Sequence, residues 1–300
     1  FLISGFCIHY PNTSGSIKLC WKTYLIRRFW RIYPAYFAAL LFTACISYLC
    51  LILWGDKNWD VSKIFRVATL TQNYPPESGQ FLSNPSLWTI PLEVEFYLLY
   101  PVAFLFFASN RNSLLWIISL GMSALSILLS YQGYQWLSFT ALFLWPSWLL
   151  GAWIAKLYRD QKLNRIKLGY LLTLTGLSLG VALMSRYQSW ETWTQYFAWT
   201  TFFSFFFVFC LSHEGLLDRI IGTRLTKAIS WIGKISFSLY LIHFPLFKLF
   251  GYLHREIFGE KPANFLISLF YLLPVIFLAW LFFKWVEDPI HQWSKKKRKP

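Results

Sequence analysis

SLWTIPLEVEFYLLYP, residues Ser86–Pro101, sets two carboxylates, Glu93 and Glu95, in a run that is otherwise mostly aromatic and aliphatic. Continued through VAFLFFA, the apolar stretch covers 87–108. A helix needs about 20 mostly apolar residues to cross a bilayer, so this stretch is long enough to span. An ionisable group inside a span is costly and marks either a function or a structural pairing. Residues two apart on a helix project about 200° apart, so Glu93 and Glu95 do not form a shared-proton pair. Glu93 shares a face with Tyr97, Tyr100 and Pro101, and Glu95 with Pro91, Leu98 and Leu99. Either carboxylate could instead be structural, paired with a basic side chain or with the backbone gap that Pro91 leaves.

Seven further stretches are similar in length and apolarity. The set of spans is 33–54, 87–108, 113–131, 137–157, 167–185, 195–212, 231–253 and 264–285, with FLISGFCIH (1–9) reading as the end of a partial span. The composition agrees: 56% of the 300 residues are hydrophobic and only 14% charged, where soluble domains carry about a quarter. The expected fold is therefore an all-α, polytopic transmembrane bundle of eight full spans plus one partial span. The net charge of +15 does not point to nucleic acid, because the basic residues lie between apolar segments and at the C-terminus. Lys57, Lys63, Arg66, Arg186, Arg255 and Lys261 fall on one side of the alternating spans and Lys248 inside one. The rest of the 28 Lys and Arg share the other side, which should be cytoplasmic. The basic tail at 294–300 is then cytoplasmic beside anionic lipid. The long segment 55–86, with NYPPESGQ, is an outer loop that could be a lid, an acceptor platform or a plain connector.

Other polar positions stand out. In KISFSLYLIHFPLF (234–247), Ser236, Tyr240, His243 and Phe247 recur at helical spacing along one face. Pro245 cannot donate a backbone bond and frees the carbonyl of Leu241. The stripe fits a hydrated or ligand-lined groove, or a structural histidine bonded to a neighbour. In LIRRFWRIYP (25–34), Arg27, Arg28 and Arg31 cluster at the cytoplasmic mouth of a span. Their forks suit phosphate, and equally suit lipid headgroups. Glu287 and Asp288 lie beside Lys284, where a local ion pair is the simplest reading. Trp88 and Tyr97 could stack on a sugar or belong to an aromatic belt. The five cysteines show no metal spacing, and no metal site is expected. His9, His213, His254 and His291 read as structural or solvated.

Taken in order, FLISGF, YLIRRFWRIYPAY, NPSLWTIPLEVEFYLLYP, GKISFSLYLIHFPLF and VEDPI resemble the membrane-bound acyltransferase family 3, which includes polysaccharide O-acetyltransferases. The resemblance runs along nearly the whole chain. It implies one integral-membrane acyltransferase domain over 1–300, multi-pass in a bacterial inner membrane, with a cytoplasmic C-terminus. It also implies acyl-CoA, usually acetyl-CoA, as donor substrate rather than bound cofactor, and a carbohydrate hydroxyl as acceptor. By that resemblance Glu93 and His243 are catalytic-site residues. Arg27, Arg28 and Arg31 would bind the donor, Trp88, Tyr97, Ser236 and Tyr240 would contact substrate, and Glu287 would support the site. The family's first helix, with an arginine and a histidine assigned to its chemistry, has no counterpart here, so the chain reads as N-terminally truncated. The alternatives are a flippase for a sugar-linked lipid and an inactive fragment.

Overall fold

The computed structural model describes residues 1–13, 20–57, 59–75 and 84–296. Residues 76–83 of the outer loop and 297–300 of the basic tail lie outside them. Every described element is helical, and eight helices are long and apolar enough to cross a membrane. This is the all-α polytopic bundle expected from the sequence. The helices are α1 (Leu2–His9), α2 (Trp21–Trp54), α3 (Val61–Ala68), α4 (Thr89–Ala108), α5 (Asn112–Tyr131), α6 (Ala141–Arg159), α7 (Leu168–Tyr187), α8 (Thr192–Ser212), α9 (Glu214–Phe258), α10 (Phe265–Phe282) and α11 (Asp288–Lys296). Short 3-10 turns cover Pro85–Trp88 and Gln135–Phe139, and one π turn covers Phe283–Glu287.

Two boundaries differ from the sequence reading. Helix α2 begins at Trp21 and runs through Pro34, where the expected span began at 33. Proline is tolerated inside membrane helices because neighbouring groups re-satisfy the freed backbone. Helix α9 is broken at Gly222, whose φ of 77° is the left-handed backbone that glycine adopts at no steric cost.

The chain divides into two compact units: Phe1–Leu19 with Leu92–Lys227, and Cys20–Pro91 with Ala228–Pro300. In the first, α6 is the buried centre, and most of its residues from Ala141 to Ala155 are inaccessible. Helix α1 lies against α6 in backbone contact. A Cβ added to Gly5 would sit 2.0 Å from the Trp148 carbonyl oxygen, and one on Gly151 would sit 1.8 Å from that of Leu2. Ser147, Gly151 and Ala155 recur every four residues, the small-residue stripe that lets membrane helices approach closely. Trp148 fills the adjoining layer, stacked on Phe96 with centroids 5.6 Å apart. Ser123 of α5 donates to the Phe143 carbonyl at 2.7 Å, and Ser147 meets Thr200 of α8 at 3.0 Å. The outward faces of α5 and α7 are apolar and exposed, Ile117 by 67% and Leu177 by 65%, as lipid contact demands.

In the second unit α2 carries α3 and α11. Asp60 caps α3 by accepting from the Ser62 amide, and hydrogen bonds from the Ser62 hydroxyl and then that amide hold its carboxyl below the usual range. At the other end, Tyr36 and Tyr33 donate to the Val67 and Ala68 carbonyls at 2.6 and 3.0 Å, satisfying groups that the short helix leaves open. Trp30 packs on Trp293 of α11 with centroids 4.5 Å apart. Lys248, the one basic residue expected inside a span, forms an ion pair with Asp56, which follows the left-handed cap Gly55 at the end of α2.

Candidate functional site

Two prolines organise the polar centre of the second unit. Pro91 has no N–H, so the Leu87 carbonyl loses its helical partner. Gln72, 1% exposed, donates to that carbonyl at 3.2 Å and reaches the Tyr36 hydroxyl at the same distance. Its neighbour Asn73 donates to the Trp88 carbonyl at 2.8 Å. Pro245 frees the Leu241 carbonyl in α9 in the same way, and Asn84 fills the gap with a bond of 2.7 Å. Asn84, also 1% exposed, reaches Thr43 of α2 at 3.3 Å. Its Oδ1 accepts from Ser86 Oγ at 2.5 Å, and Ser86 Oγ lies 3.3 Å from the Tyr240 carbonyl. Tyr240 returns the contact, its hydroxyl donating to the Ser86 carbonyl and meeting Thr89 Oγ1. The segment 84–89 is thus bound side chain to backbone onto residues 240–241.

His243 sits half-buried on the next turn. Its Nδ1 lies 3.1 Å from the Leu239 carbonyl and 2.9 Å from that of Tyr240, so Nδ1 carries the proton and donates. In the neutral ring the lone pair is then on Nε2. Nε2 has no hydrogen-bond partner among the described residues. The ring lies 6.0 Å from that of Tyr240 and 5.3 Å from that of Phe244. The arrangement is an imidazole of defined tautomer beside a set of interlocked hydroxyls, and it can accept a proton.

Ser236, placed on the same stripe by its spacing, is exposed and donates to the Gly233 carbonyl of its own helix at 2.8 Å. The buried serine of this region is Ser238, which donates to the carboxylate of Glu287. Glu287 is 5% exposed and closes the π turn, and Arg31 lies within electrostatic reach of it. The local ion pair expected with Lys284 does not form, because Lys284 lies over the Trp280 ring at 5.3 Å. Arg27 and Arg31 are exposed on α2, and Arg28 lies over Tyr24 at 5.4 Å. Trp88 is half-buried.

Glu93 and Tyr97 belong to the first unit. Glu93 accepts from Ser4 Oγ at 2.6 Å, and Ser4 in turn receives Trp148 Nε1 at 3.4 Å. Tyr97 is 7% exposed. Glu95 accepts from the backbone N–H of Ala141 at 2.6 Å. Ala141 opens α6, and its N-cap residue Thr140 makes no side-chain cap of its own. Glu95 is therefore the cap of α6 supplied from another helix, with its negative charge at the positive end of the helix dipole. The two carboxylates bond to different helices, Glu93 to Ser4 of α1 and Glu95 to the start of α6, in keeping with their angular separation.

Residues 1–284 match the family model described as an acyltransferase domain, that of acyltransferase family 3. The chain belongs to acyltransferase family 3. No curated protein and no solved structure gives a significant match. The sequence missed Gln72, Asn73, Asn84, Ser86, Thr89, Ser4 and Ser238. The prolines at 91 and 245 were the available signal, since each leaves a carbonyl that some donor must fill.

Proposed function

We propose that this acyltransferase moves an acyl group, acetyl in the simplest case, from acyl-CoA to a sugar hydroxyl of a cell-surface glycan. The observation that carries the proposal is the imidazole of His243, with Nδ1 committed to backbone carbonyls and Nε2 left open. The hydroxyl oxygen attacks the thioester carbonyl carbon as Nε2 takes the hydroxyl proton. Collapse of the tetrahedral intermediate breaks the C–S bond, and the imidazolium returns the proton to the leaving thiolate. The products are an O-acyl sugar and free CoA. Tyr240, Ser86 and Thr89 set hydroxyl oxygens beside His243 that can accept from other hydroxyls of the sugar, their own protons being committed within the cluster. Arg27, Arg28 and Arg31 would hold CoA phosphates on the cytoplasmic side, where bidentate forks suit them. The family resemblance gives Glu93 a catalytic-site role and Trp88 and Tyr97 a role in contacting substrate, and within its own unit Glu93 is held by Ser4. The basic-residue asymmetry supports a cytoplasmic C-terminus, and the acceptor glycans of the family support a bacterial inner membrane.

Membranes carrying the protein are supplied with acetyl-labelled acetyl-CoA, and their glycans are analysed for labelled O-acyl groups. The expected result is label in base-labile esters, lost in His243→Ala and strongly reduced in Glu93→Gln. Glycan export without label would favour a flippase. Wild-type acylation in both variants would remove these residues from the site.

A further inference from the structure

We propose that a cavity in the first unit, between the C-terminal end of α5 and the start of α8, is a binding site for a short neutral glycan. The cavity holds about 320 Å³, within the range of about 300–1,000 Å³ usual for small-molecule sites. Its walls include Tyr131, Gln135, Phe143, Glu191, Trp193 and Tyr196. Trp193 Nε1 donates to the Tyr131 hydroxyl at 2.9 Å, which holds both rings. The Tyr196 ring stands edge-on to Phe143 with centroids 5.8 Å apart. The cavity opens outward: Phe143 is buried at its base, and the exposed Tyr131, Gln135 and Glu191 stand at its rim.

Glu191 is the telling residue. It occupies the N-cap position of α8, yet its side chain makes no capping bond. Its carboxylate has no hydrogen-bond or ion-pair partner among the described residues, and neither does the Gln135 amide. Rigid aromatic faces with free acceptors beside them match a sugar ring. Its C–H face stacks on the aromatics, and its hydroxyls donate to the carboxylate and amide. No Lys or Arg lines the cavity among the described residues, so an anionic lipid headgroup or an acidic sugar would meet an unopposed Glu191. The inference rests on the glycan-acceptor reading for its physiological ligand and for its placement on the outer side.

The test uses the full chain in nanodiscs and saturation-transfer NMR with maltotriose, cellotriose, chitotriose and mannotriose. At least one is expected to bind, with affinity reduced roughly tenfold in Glu191→Gln and more in Trp193→Ala. Glu191 is exposed, so its substitution is expected to leave folding intact. If none of the four binds, or if binding is unchanged in both variants, the cavity is not a glycan site. The acyl-transfer reading fails separately. Sugar binding that depends on Glu191 in a protein that transfers no acetyl group keeps the site and removes the reaction. Acetyl transfer with an unchanged KM for acceptor in both variants keeps the reaction and removes the site.

Discussion

Asn84 is expected to be worth more to this protein than any single surface residue, and a double-mutant cycle with Pro245 isolates the reason. Asn84 donates to the Leu241 carbonyl at 2.7 Å and to Thr43 at 3.3 Å, and accepts from Ser86 at 2.5 Å. Side-chain hydrogen bonds in membrane proteins contribute about 0.6 kcal/mol on average, with a maximum near 1.7 kcal/mol. A buried carbonyl left without a donor costs about 1–3 kcal/mol. Asn84→Ala should therefore cost about 2–4 kcal/mol, of which about 1–2 kcal/mol belongs to Leu241. Pro245→Ala restores the N–H that a helix would give the Leu241 carbonyl. In that background the Asn84→Ala cost should fall by the Leu241 share, giving a coupling of about 1–2 kcal/mol. Equilibrium unfolding of the four proteins in bicelles by steric trapping measures it. Additivity within about 0.5 kcal/mol would refute the assignment of Asn84 as the replacement donor. Ionised Asp in Asn84→Asp should cost at least as much as Asn84→Ala, because it cannot donate to Leu241 and adds a buried charge.

Three other outcomes follow from the packing. Gly151→Leu should destabilise by about 2 kcal/mol or more, because its Cβ would meet the Leu2 carbonyl oxygen at 1.8 Å; an unchanged melting temperature in detergent would refute backbone contact between α1 and α6. Glu95→Leu should cost about 1–2 kcal/mol of stability by uncapping α6, whereas Glu93→Gln should lower acyl transfer more than stability; thermal melts and transfer rates on both variants separate the roles. Lys248→Met should cost about 3–5 kcal/mol by leaving Asp56 buried without its cation, and Lys248→Met with Asp56→Leu should recover most of it. A single variant as stable as wild type would show that this ion pair is dispensable.

The fold was legible in the sequence because bilayer crossing is a local property. Length, apolarity and charge placement along one helix decide it, and eight expected spans match eight observed helices. The exceptions are instructive. Arg27, Arg28 and Arg31 extend helix α2 by several turns outside the apolar window, where hydropathy has no power. The separation of Glu93 from Glu95 needed only the helical period. The candidate site was half legible. Pro245 announced an open carbonyl at Leu241, and His243 stood out as an ionisable group in an apolar run.

The identity of each partner was not legible, because partners come from distant parts of the chain. Asn84 reaches Leu241, and Glu95 reaches Ala141. Glu287 was expected beside Lys284 and instead takes its bond from Ser238. By itself the sequence determined that this is an all-helical membrane acyltransferase and where its costly polar groups lie. Only the tertiary structure decided which of those groups satisfy backbone and which remain open. The physical reason is that a hydrogen bond inside a bilayer is compulsory, while the donor that completes it can come from anywhere the packing brings near.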